Sequence, residues 1–359
     1  MRVAVLGVGL IGGSIGLAAR ERLDAEVRGH DLNPGRLDRA RELGAIDTAH
    51  GSVTEAVDGA EIVFCAAPVA ALPALAREAL ASAADETAVS DVGSVKRELT
   101  AELGDDERFI GGHPLAGAET AGVENARADL FAGARWYLTP TARTGGVLYD
   151  RVQRAIAELG ARPQAIDPES HDRLMATVSH LPHVLANLLI ERAAKAAGEE
   201  SERLPETGPS FRDATRVAGA NPAIWGDILT ANREALATEV EAVAAELERL
   251  GAKLREGDGD AVSSWHRRAA ERRRELLEAE LAGGPLRELR VLVPNRPGIV
   301  AEIALALGRA GVNIEDMGLY PAADMRSGAI TLYVAGDAEA ERAAQIVAEL
   351  GHDVTAVER

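Results

Sequence analysis

The sequence has 359 residues, enough for two or three domains, and its hydrophobic content of 47% is ordinary for a globular chain with a sizeable core. The formal net charge of -18 disfavours nucleic acid as a partner, and charges interrupt the apolar runs too soon for a membrane span. The single cysteine, Cys65, excludes an internal disulfide and a multi-cysteine zinc site, and together with the strand-like start without a signal peptide it predicts a reducing cytoplasm.

Three regions follow one another along the chain. Residues 1–168 alternate short apolar strands with helical segments, which predicts a doubly wound parallel sheet of the Rossmann type. Helical patterns with charged faces fill residues 169–283 and predict an all-helical domain. After a linker at 282–288, residues 287–359 show the order strand, helix, strand, strand, helix, strand, which predicts a ferredoxin-like βαββαβ domain.

The first predicted strand leads into a glycine-rich turn. Gly7, Gly9 and Gly12 form a G-x-G-x-x-G motif that opens a helix, and Asp31 ends the second strand. The glycines allow close approach of a pyrophosphate, and the helix N-terminus stabilises its charge. Asp31 suits the ribose hydroxyls and would repel a 2′-phosphate, so NAD is predicted over NADP, although Arg36 nearby tempers that preference. The predicted cofactor-binding residues are Gly7, Gly9, Leu10, Ile11, Gly12, Asp31, Ala67 and Pro68.

Two later strands end beside polar side chains. Ser94 and Lys96 follow ETAVSDVG, whereas His113 follows RFIGG, with Glu119 six residues further on. Ligands of open α/β sheets bind outside the carboxyl ends of the strands, so we expect Ser94 and His113 to face one crevice beside the nicotinamide. A capping role for Ser94 and a turn histidine bonded to backbone remain open as structural alternatives.

Two histidines occur close together in SHLPHVLANLL. His180 and His183 are three residues apart on a helix that is predicted to begin near Pro182, with Asn187 one turn further. Such a pair could hold a metal, but no cysteine or carboxylate pattern completes the site. We therefore predict substrate contact and no metal, with helix capping as an alternative for His180.

A third cluster occurs in GPSFRDATRVAGANPAIW. Arg212 and Arg216 are predicted to share one helix face, and arginine suits bidentate binding of a carboxylate. An ion pair with Asp213 is the alternative for Arg212. Pro222 predicts the start of a long helix that carries Trp225, for which simple core packing is the alternative.

An apolar stripe continues along that predicted helix. At 1.5 Å per residue, a helix of about 30 residues is roughly 45 Å long, too long for one small domain to cover easily. The stripe suits either a homodimer seam or a helical bundle within one chain. It consists of Leu229, Leu236, Val240, Val243, Leu247 and Leu250.

Taken in order, several motifs resemble the bacterial prephenate dehydrogenase family with an appended ACT domain, over essentially the whole chain. These motifs are GVGLIGGSIG, DVGSVK, GGHPLAGAE, SHLPHVLA, FRDATRVAGANPAIW and VPNRPGIVAEI. The resemblance implies NAD-dependent oxidative decarboxylation of prephenate to 4-hydroxyphenylpyruvate, a homodimer, and inhibition by tyrosine. Arogenate dehydrogenase, a hydroxyacid dehydrogenase and a non-catalytic sensor of NAD and an amino acid are the competing interpretations.

The resemblance also implies roles for single residues. His113 matches the catalytic histidine that accepts a hydrogen bond from the substrate's ring hydroxyl, and Ser94 matches a serine that supports this histidine and the nicotinamide. His183 matches a substrate-contacting histidine, and Glu119 matches an active-site acid. Arg216 matches the arginine that grips a substrate carboxylate.

Four more residues receive roles in the same way. Arg212 keeps a positive charge where some family members have lysine, and Trp225 matches a tryptophan that reaches toward the partner subunit's site. In the predicted ACT domain, Gly298 lies in the first loop, where backbone N–H groups suit an amino acid carboxylate. Asn313 at the start of the second strand is the other predicted effector-binding residue.

Overall fold

The computed structural model describes residues 1–117, 120–198, 207–280, 285–294, 299–321 and 327–356. The chain divides into two compact units, residues 1–245 and residues 246–359. Among the described helices, none combines the length and the apolarity that a membrane span requires.

Unit 1 is built on an eight-stranded sheet with the order β3-β2-β1-β4-β5-β6-β7-β8. The first six positions follow the order 3-2-1-4-5-6 of dinucleotide-binding folds, which confirms the predicted Rossmann-type sheet. In chain order the strands are β1 (Arg2–Leu6), β2 (Glu26–His30), β3 (Thr48–His50), β4 (Ile62–Cys65), β5 (Ala88–Asp91), β6 (Phe109–Pro114), β7 (Arg135–Thr139) and β8 (Arg162–Ala165).

The far edge of this sheet departs from the prediction of a wholly parallel sheet. Strands β1 to β6 run parallel, but β7 pairs with β6 in the antiparallel sense, and β8 is parallel to β7. The sequence analysis did not predict β3, β7 or β8. Strands β3 and β8 are short and largely exposed, so they lack the apolar run that marks a buried strand.

Helices cover both faces of the sheet and then form a helical region. In chain order the first eleven are α1 (Leu10–Leu23), α2 (Pro34–Glu42), α3 (Val53–Val57), α4 (Leu72–Ser82), α5 (Arg97–Leu103), α6 (Gly146–Glu158), α7 (Pro168–Met175), α8 (Leu181–Gly198), α9 (Pro209–Thr215), α10 (Pro222–Ala231) and α11 (Arg233–Glu256).

Each face of the unit 1 sheet carries its own apolar layer. Alternate side chains of β1 point to opposite sides, so Val3 and Val5 join one layer while Ala4 and Leu6 join the other. With aromatic residues at only 3% of the sequence, aliphatic and alanine side chains fill most of both layers. The largest fully buried side chain is Trp136, which supports the sheet beneath the crevice at its carboxyl edge.

One predicted helix start is confirmed and one predicted helix is divided in two. Helix α8, which carries His183, begins at Leu181 beside Pro182 as predicted, but it is continuous with α7 through a π-helical turn at Ala176–His180 that was not predicted. The extra residue of a π turn loosens the backbone just before a proline that cannot donate an N–H, so the helix passes Pro182 instead of ending there. The helix predicted to run on from Pro222 is interrupted at Asn232, between α10 and α11.

Unit 2 contains an antiparallel four-stranded sheet with the order β10-β11-β9-β12. Two helices pack on one apolar cluster with this sheet, which confirms the predicted βαββαβ arrangement. Its elements are α12 (Gly259–Glu280), β9 (Leu286–Pro294), α13 (Ile299–Arg309), β10 (Asp316–Pro321), β11 (Ser327–Ala335), α14 (Asp337–Glu349) and β12 (Asp353–Ala356).

Candidate active site

The turn after β1 has the shape that a dinucleotide requires. Gly7 has a φ of 98°, and a Cβ there would overlap the Ala66 carbonyl oxygen. A Cβ at Gly12 would overlap the Gly7 carbonyl oxygen, while the ideal Cβ position at Gly9 meets open space. The turn can be this tight only with glycine, and Gly9 leaves room for close approach of a phosphate group.

The other predicted cofactor residues surround this turn. Leu10 and Ile11 form the first turn of α1, where their backbone N–H groups begin the helix, and both side chains are half-buried. Ala67 and Pro68 follow β4, directly after the Ala66 carbonyl that packs on Gly7. These residues fit a pyrophosphate at the helix N-terminus.

The Asp31 carboxylate is held against the same turn. Its Oδ2 accepts a hydrogen bond from the Val8 N–H at 3.0 Å, and its Oδ1 accepts from the Asn33 N–H at 2.8 Å. The Arg36 guanidinium lies 3.7 Å from Oδ1. The carboxylate is therefore fixed where an adenosine ribose would lie, and Arg36 offsets part of its charge.

His113 lies near the carboxyl end of β6, which continues through Pro114, so the alternative of a turn histidine is wrong. The two preceding glycines serve strand packing. A Cβ at Gly111 would crowd Thr139 Oγ1, and a Cβ at Gly112 would lie 2.5 Å from the Asp91 carbonyl oxygen. Small residues here bring the strand close enough to its neighbours to place the histidine ring at the carboxyl edge.

The His113 ring is the end of a buried chain of hydrogen bonds. Its Nδ1 is 2.9 Å from His171 Nε2, and His171 Nδ1 is 2.8 Å from Asp172 Oδ1. His171 is fully buried, and Asp172 is 3% exposed. The edge of the His171 ring also contacts Tyr137, so both packing and hydrogen bonding fix its orientation.

The Asp172 carboxylate is anchored by main-chain groups at the start of α5. The Lys96 N–H donates to Oδ1 at 2.8 Å, and the Arg97 N–H donates to Oδ2 at 2.9 Å. Asn232 Nδ2 donates to the Asp172 carbonyl at 2.8 Å and to His180 Nδ1 at 3.1 Å. The break between α10 and α11 thus places the buried side-chain amide of Asn232 between Asp172 and His180.

Burial lowers the pKa of two histidines in this cluster. Desolvation holds the pKa of His113 well below its usual value, and the neighbouring His171, Lys96 and His180 lower it further. Burial likewise lowers the pKa of His180 to about 4. His180 lies in the π turn, and its Nδ1 accepts a hydrogen bond from Asn232. It does not cap a helix, so the alternative of helix capping by His180 is wrong.

Ser94 is half-buried in the loop between β5 and α5, at the same edge of the sheet as His113. Within the described part of the chain, however, the His113 ring is hydrogen-bonded to His171 and not to Ser94. Lys96 points inward and forms an ion pair with Asp91, and both side chains are fully buried. Lys96 therefore stabilises the carboxyl edge of the sheet from inside the protein core.

A second group of side chains continues the site on the helices. The His183 ring stacks on Trp225 with centroids 3.3 Å apart, and Trp225 meets His180 edge to face at 6.1 Å. Trp225 therefore packs against two histidines of its own chain. Burial and the positive charge of Arg216 lower the pKa of His183.

The remaining predicted residues are less closely connected to this cluster. Helix α9 ends at Thr215, so Arg212 and Arg216 do not lie on one continuous helix face. Arg212 donates to the Thr207 carbonyl at 2.7 Å, which differs from the alternative ion pair with Asp213. Glu119 lies outside the described residues.

The predicted effector residues lie in unit 2. Gly298 falls outside the described residues. Asn313 is exposed, and its side-chain amide donates to Glu315 Oε1 at 2.7 Å.

The sequence analysis missed His171, Asp172 and Asn232. The first two follow the helix start at Pro168 in PESHDRLM, where a polar pair normally indicates a solvated first turn. Their burial left no signal, because the other residues of α7 are mostly polar as well. Asn232 gave no periodic signal, because it interrupts the apolar stripe.

A Rossmann sheet with this glycine turn, a carboxylate held against the turn and a buried histidine at the carboxyl edge defines an NAD-dependent dehydrogenase. Family models described as prephenate dehydrogenase match here: the nucleotide-binding domain over residues 15–164 and the dimerization domain over residues 167–268. The chain belongs to the prephenate dehydrogenase family and is an NAD-dependent oxidoreductase. An AHAS small subunit-like ACT domain matches residues 289–355.

Individual relatives agree with this assignment. Prephenate dehydrogenase from Bacillus subtilis is 27% identical over 96% of this chain and 95% of its own length. The structure of prephenate dehydrogenase from A. aeolicus in complex with hydroxyphenyl propionate and NAD+ has a TM-score of 0.71 and 31% identity, over 76% of this chain and 97% of that chain. Synechocystis arogenate dehydrogenase has a TM-score of 0.67 and 25% identity, over 77% of this chain and all of that chain (100%).

Proposed function

We propose that this protein oxidises prephenate with NAD and releases carbon dioxide, forming 4-hydroxyphenylpyruvate for tyrosine biosynthesis. The observation that carries the proposal is the neutral His113 at the carboxyl edge of the sheet that also bears the glycine turn. A dinucleotide bound at that turn lies along this edge, because the strand order reverses between β1 and β4 there.

Bound NAD supplies the hydride acceptor. His113 accepts the proton of the ring hydroxyl as the hydride leaves the carbon that bears it, which turns the alcohol into a ketone. Carbon dioxide then leaves from the ring carboxylate, its bonding electrons make the ring aromatic, and the proton returns to the resulting phenolate oxygen. General-base assistance of this kind typically contributes about 10²–10⁴ in rate.

The helical residues suit the rest of the substrate. We propose that Arg216 binds a carboxylate of the dianion, since its charge acts on His183, and that the stacked His183 and Trp225 offer the substrate a flat surface. Glu119 and Ser94 are proposed to complete the site, and Arg212 to add positive charge around it.

The deciding experiment offers the full-length protein NAD with either prephenate or arogenate and follows NADH formation. We expect NADH with prephenate, and a parallel reaction with NADP tests the preference that Asp31 sets. Arogenate dehydrogenase is the second candidate, since the chain is similar over most of its fold to an arogenate dehydrogenase and the two substrates differ only in the side chain. Absence of NADH with both substrates would refute the proposed oxidation.

We further propose three domains, at residues 1–168, 169–283 and 287–359, with a homodimer formed through the helical domain. The match to a dimerization domain over residues 167–268 supports this assembly. On α11, Val240 is 37% exposed and Leu247 is 59% exposed, so part of the apolar stripe is left for a partner helix. Light scattering at micromolar concentration should give the mass of a dimer, and a monomeric mass would contradict the assignment.

We also propose that tyrosine inhibits the enzyme at the ACT domain. The family match and the βαββαβ sheet support an effector site near Gly298 and Asn313. Inhibition requires that tyrosine bind one catalytic state better than another, typically by about 1–3 kcal/mol.

Tyrosine should therefore slow NADH formation by the intact protein. In the Asn313→Ala variant, the fraction of its own uninhibited rate that tyrosine removes should be smaller. Equal sensitivity of this variant and the wild type would indicate competition at the active site, and insensitivity to tyrosine, phenylalanine and tryptophan would leave the domain a structural role only.

A further inference from the structure

The hydrogen-bond chain behind His113 has a direction. We propose that His171 and Asp172 are positioning residues that fix the tautomer of His113, leaving its Nε2 lone pair directed to the substrate. This inference rests on the proposed function, because it assigns the reason why His113 acts as an acceptor.

The direction follows from Asp172. Its carboxylate has only acceptor atoms, and it already accepts from the N–H groups of Lys96 and Arg97. His171 Nδ1, 2.8 Å from Oδ1, must therefore carry the proton of that hydrogen bond. In the arrangement that we propose, His171 is the neutral tautomer whose single N–H is at Nδ1, so its Nε2 has a lone pair.

The same argument applies once more to His113. The lone pair of His171 Nε2 lies 2.9 Å from His113 Nδ1, which must then be the protonated nitrogen. His113 Nε2 is left with a lone pair and can take the proton of a substrate hydroxyl. When it does so, His113 becomes an imidazolium whose Nδ1–H still donates to His171, and no proton needs to move along the chain.

Several charged and titratable groups surround the two rings. The charged and titratable groups that face the two rings are Lys96 in the loop after β5, His180 in the π turn, Asp172 on α7 and Tyr137 on β7. Lys96 is paired with Asp91, and Asp172 is the one carboxylate among the described residues that contacts either ring. Its negative charge, transmitted through His171, stabilises the imidazolium that forms during the reaction.

The inference predicts that His171 acts only through His113. His171→Phe keeps the ring volume and the contact with Tyr137 but removes the acceptor for His113 Nδ1, so the His113 proton should move to Nε2. We expect kcat to fall by about 10²–10⁴-fold, the full general-base contribution, with the KM for prephenate and the Kd for NAD nearly unchanged. Asp172→Asn removes the carboxylate that orients both rings and should lower kcat in the same direction.

The matched control is Asp167→Asn, in which the same substitution is made at the N-terminus of the same helix. Asp167 accepts from the Ser170 N–H, a role that asparagine also fills, so turnover should stay within about twofold of wild type. A comparable loss in this control would show that α7 is merely sensitive to change.

Two measurements decide the matter. In the His113→Asn background, His171→Phe should cost no further kcat, since residues that act as one unit are not additive; the same fold-loss in both backgrounds would overturn the inference. Nitrogen-15 NMR of the eight histidines of the wild type should show His113 protonated at Nδ1, and protonation at Nε2 would also overturn it. The NMR measurement does not require turnover, so it tests the tautomer of His113 separately from the proposed oxidation of prephenate.

Discussion

Replacing His113 by asparagine should lower kcat by about 10²–10⁴-fold while leaving the Kd for NAD nearly unchanged. Asparagine still offers a polar group to His171 but has no basic nitrogen to take the hydroxyl proton. The glycine turn and Asp31 lie on β1 and β2, remote in the strand order from β6, so cofactor binding should not suffer. Steady-state NADH formation together with a titration of NAD by fluorescence would measure both quantities.

The pH profile gives a second test of the same role. His113 must be neutral to accept a proton, so activity should be present above its pKa and lost as the pH falls through it. Because burial holds that pKa well below 6.5, kcat should stay flat through pH 6.5 and decline only in more acidic buffer. Near-normal kcat in the His113→Asn variant, or an acid limb centred at pH 6.5 or above, would contradict the assignment.

Replacing Arg216 by alanine should raise the KM for prephenate by at least about 30-fold. Arg216 is exposed in the free protein, and bound substrate would bury its guanidinium. Loss of one partner from a buried charge-assisted contact costs about 2–5 kcal/mol, and 2 kcal/mol corresponds to about 30-fold in affinity. The effect should fall mainly on KM, because the contact with a substrate carboxylate is made before and during the reaction alike.

Arg154→Ala is the matched control for this change. Arg154 pairs with Asp150 on the exposed side of α6, so the control removes the same charge from the same unit without touching the histidine cluster. Its KM should stay near the wild-type value. An unchanged KM in Arg216→Ala would show that Arg216 supports the fold and does not bind the substrate.

Local patterns predicted much of the fold correctly. The alternation of strands and helices indicated the Rossmann-type sheet, and the order of elements after 287 indicated the ferredoxin-like domain. The antiparallel β7 could not be predicted, since strand direction at a sheet edge depends on the path of the whole chain. The helix passing Pro182 could not be predicted either, because a π turn leaves no mark in hydrophobic periodicity.

The candidate site was also predictable only in part. Gly7, Gly12 and Asp31 were predictable because a single turn and one strand end place them together. His113 was identified by its position after a strand, but its partner was not. The hydrogen bond between His113 and His171 joins residues 58 positions apart, and only tertiary packing decides that they meet.

The buried pair of Lys96 and Asp91 limits how this enzyme can change during evolution. Asp91 also accepts from the N–H groups of Gly93 and Gly112, so a single charge holds one loop, strand β6 and a lysine at the carboxyl edge. Losing either member alone leaves an uncompensated buried charge, a cost of about 3–5 kcal/mol against a typical total stability of about 5–15 kcal/mol. A single substitution at either position therefore removes a large share of the stability, whereas replacing both residues together leaves no unpaired charge behind.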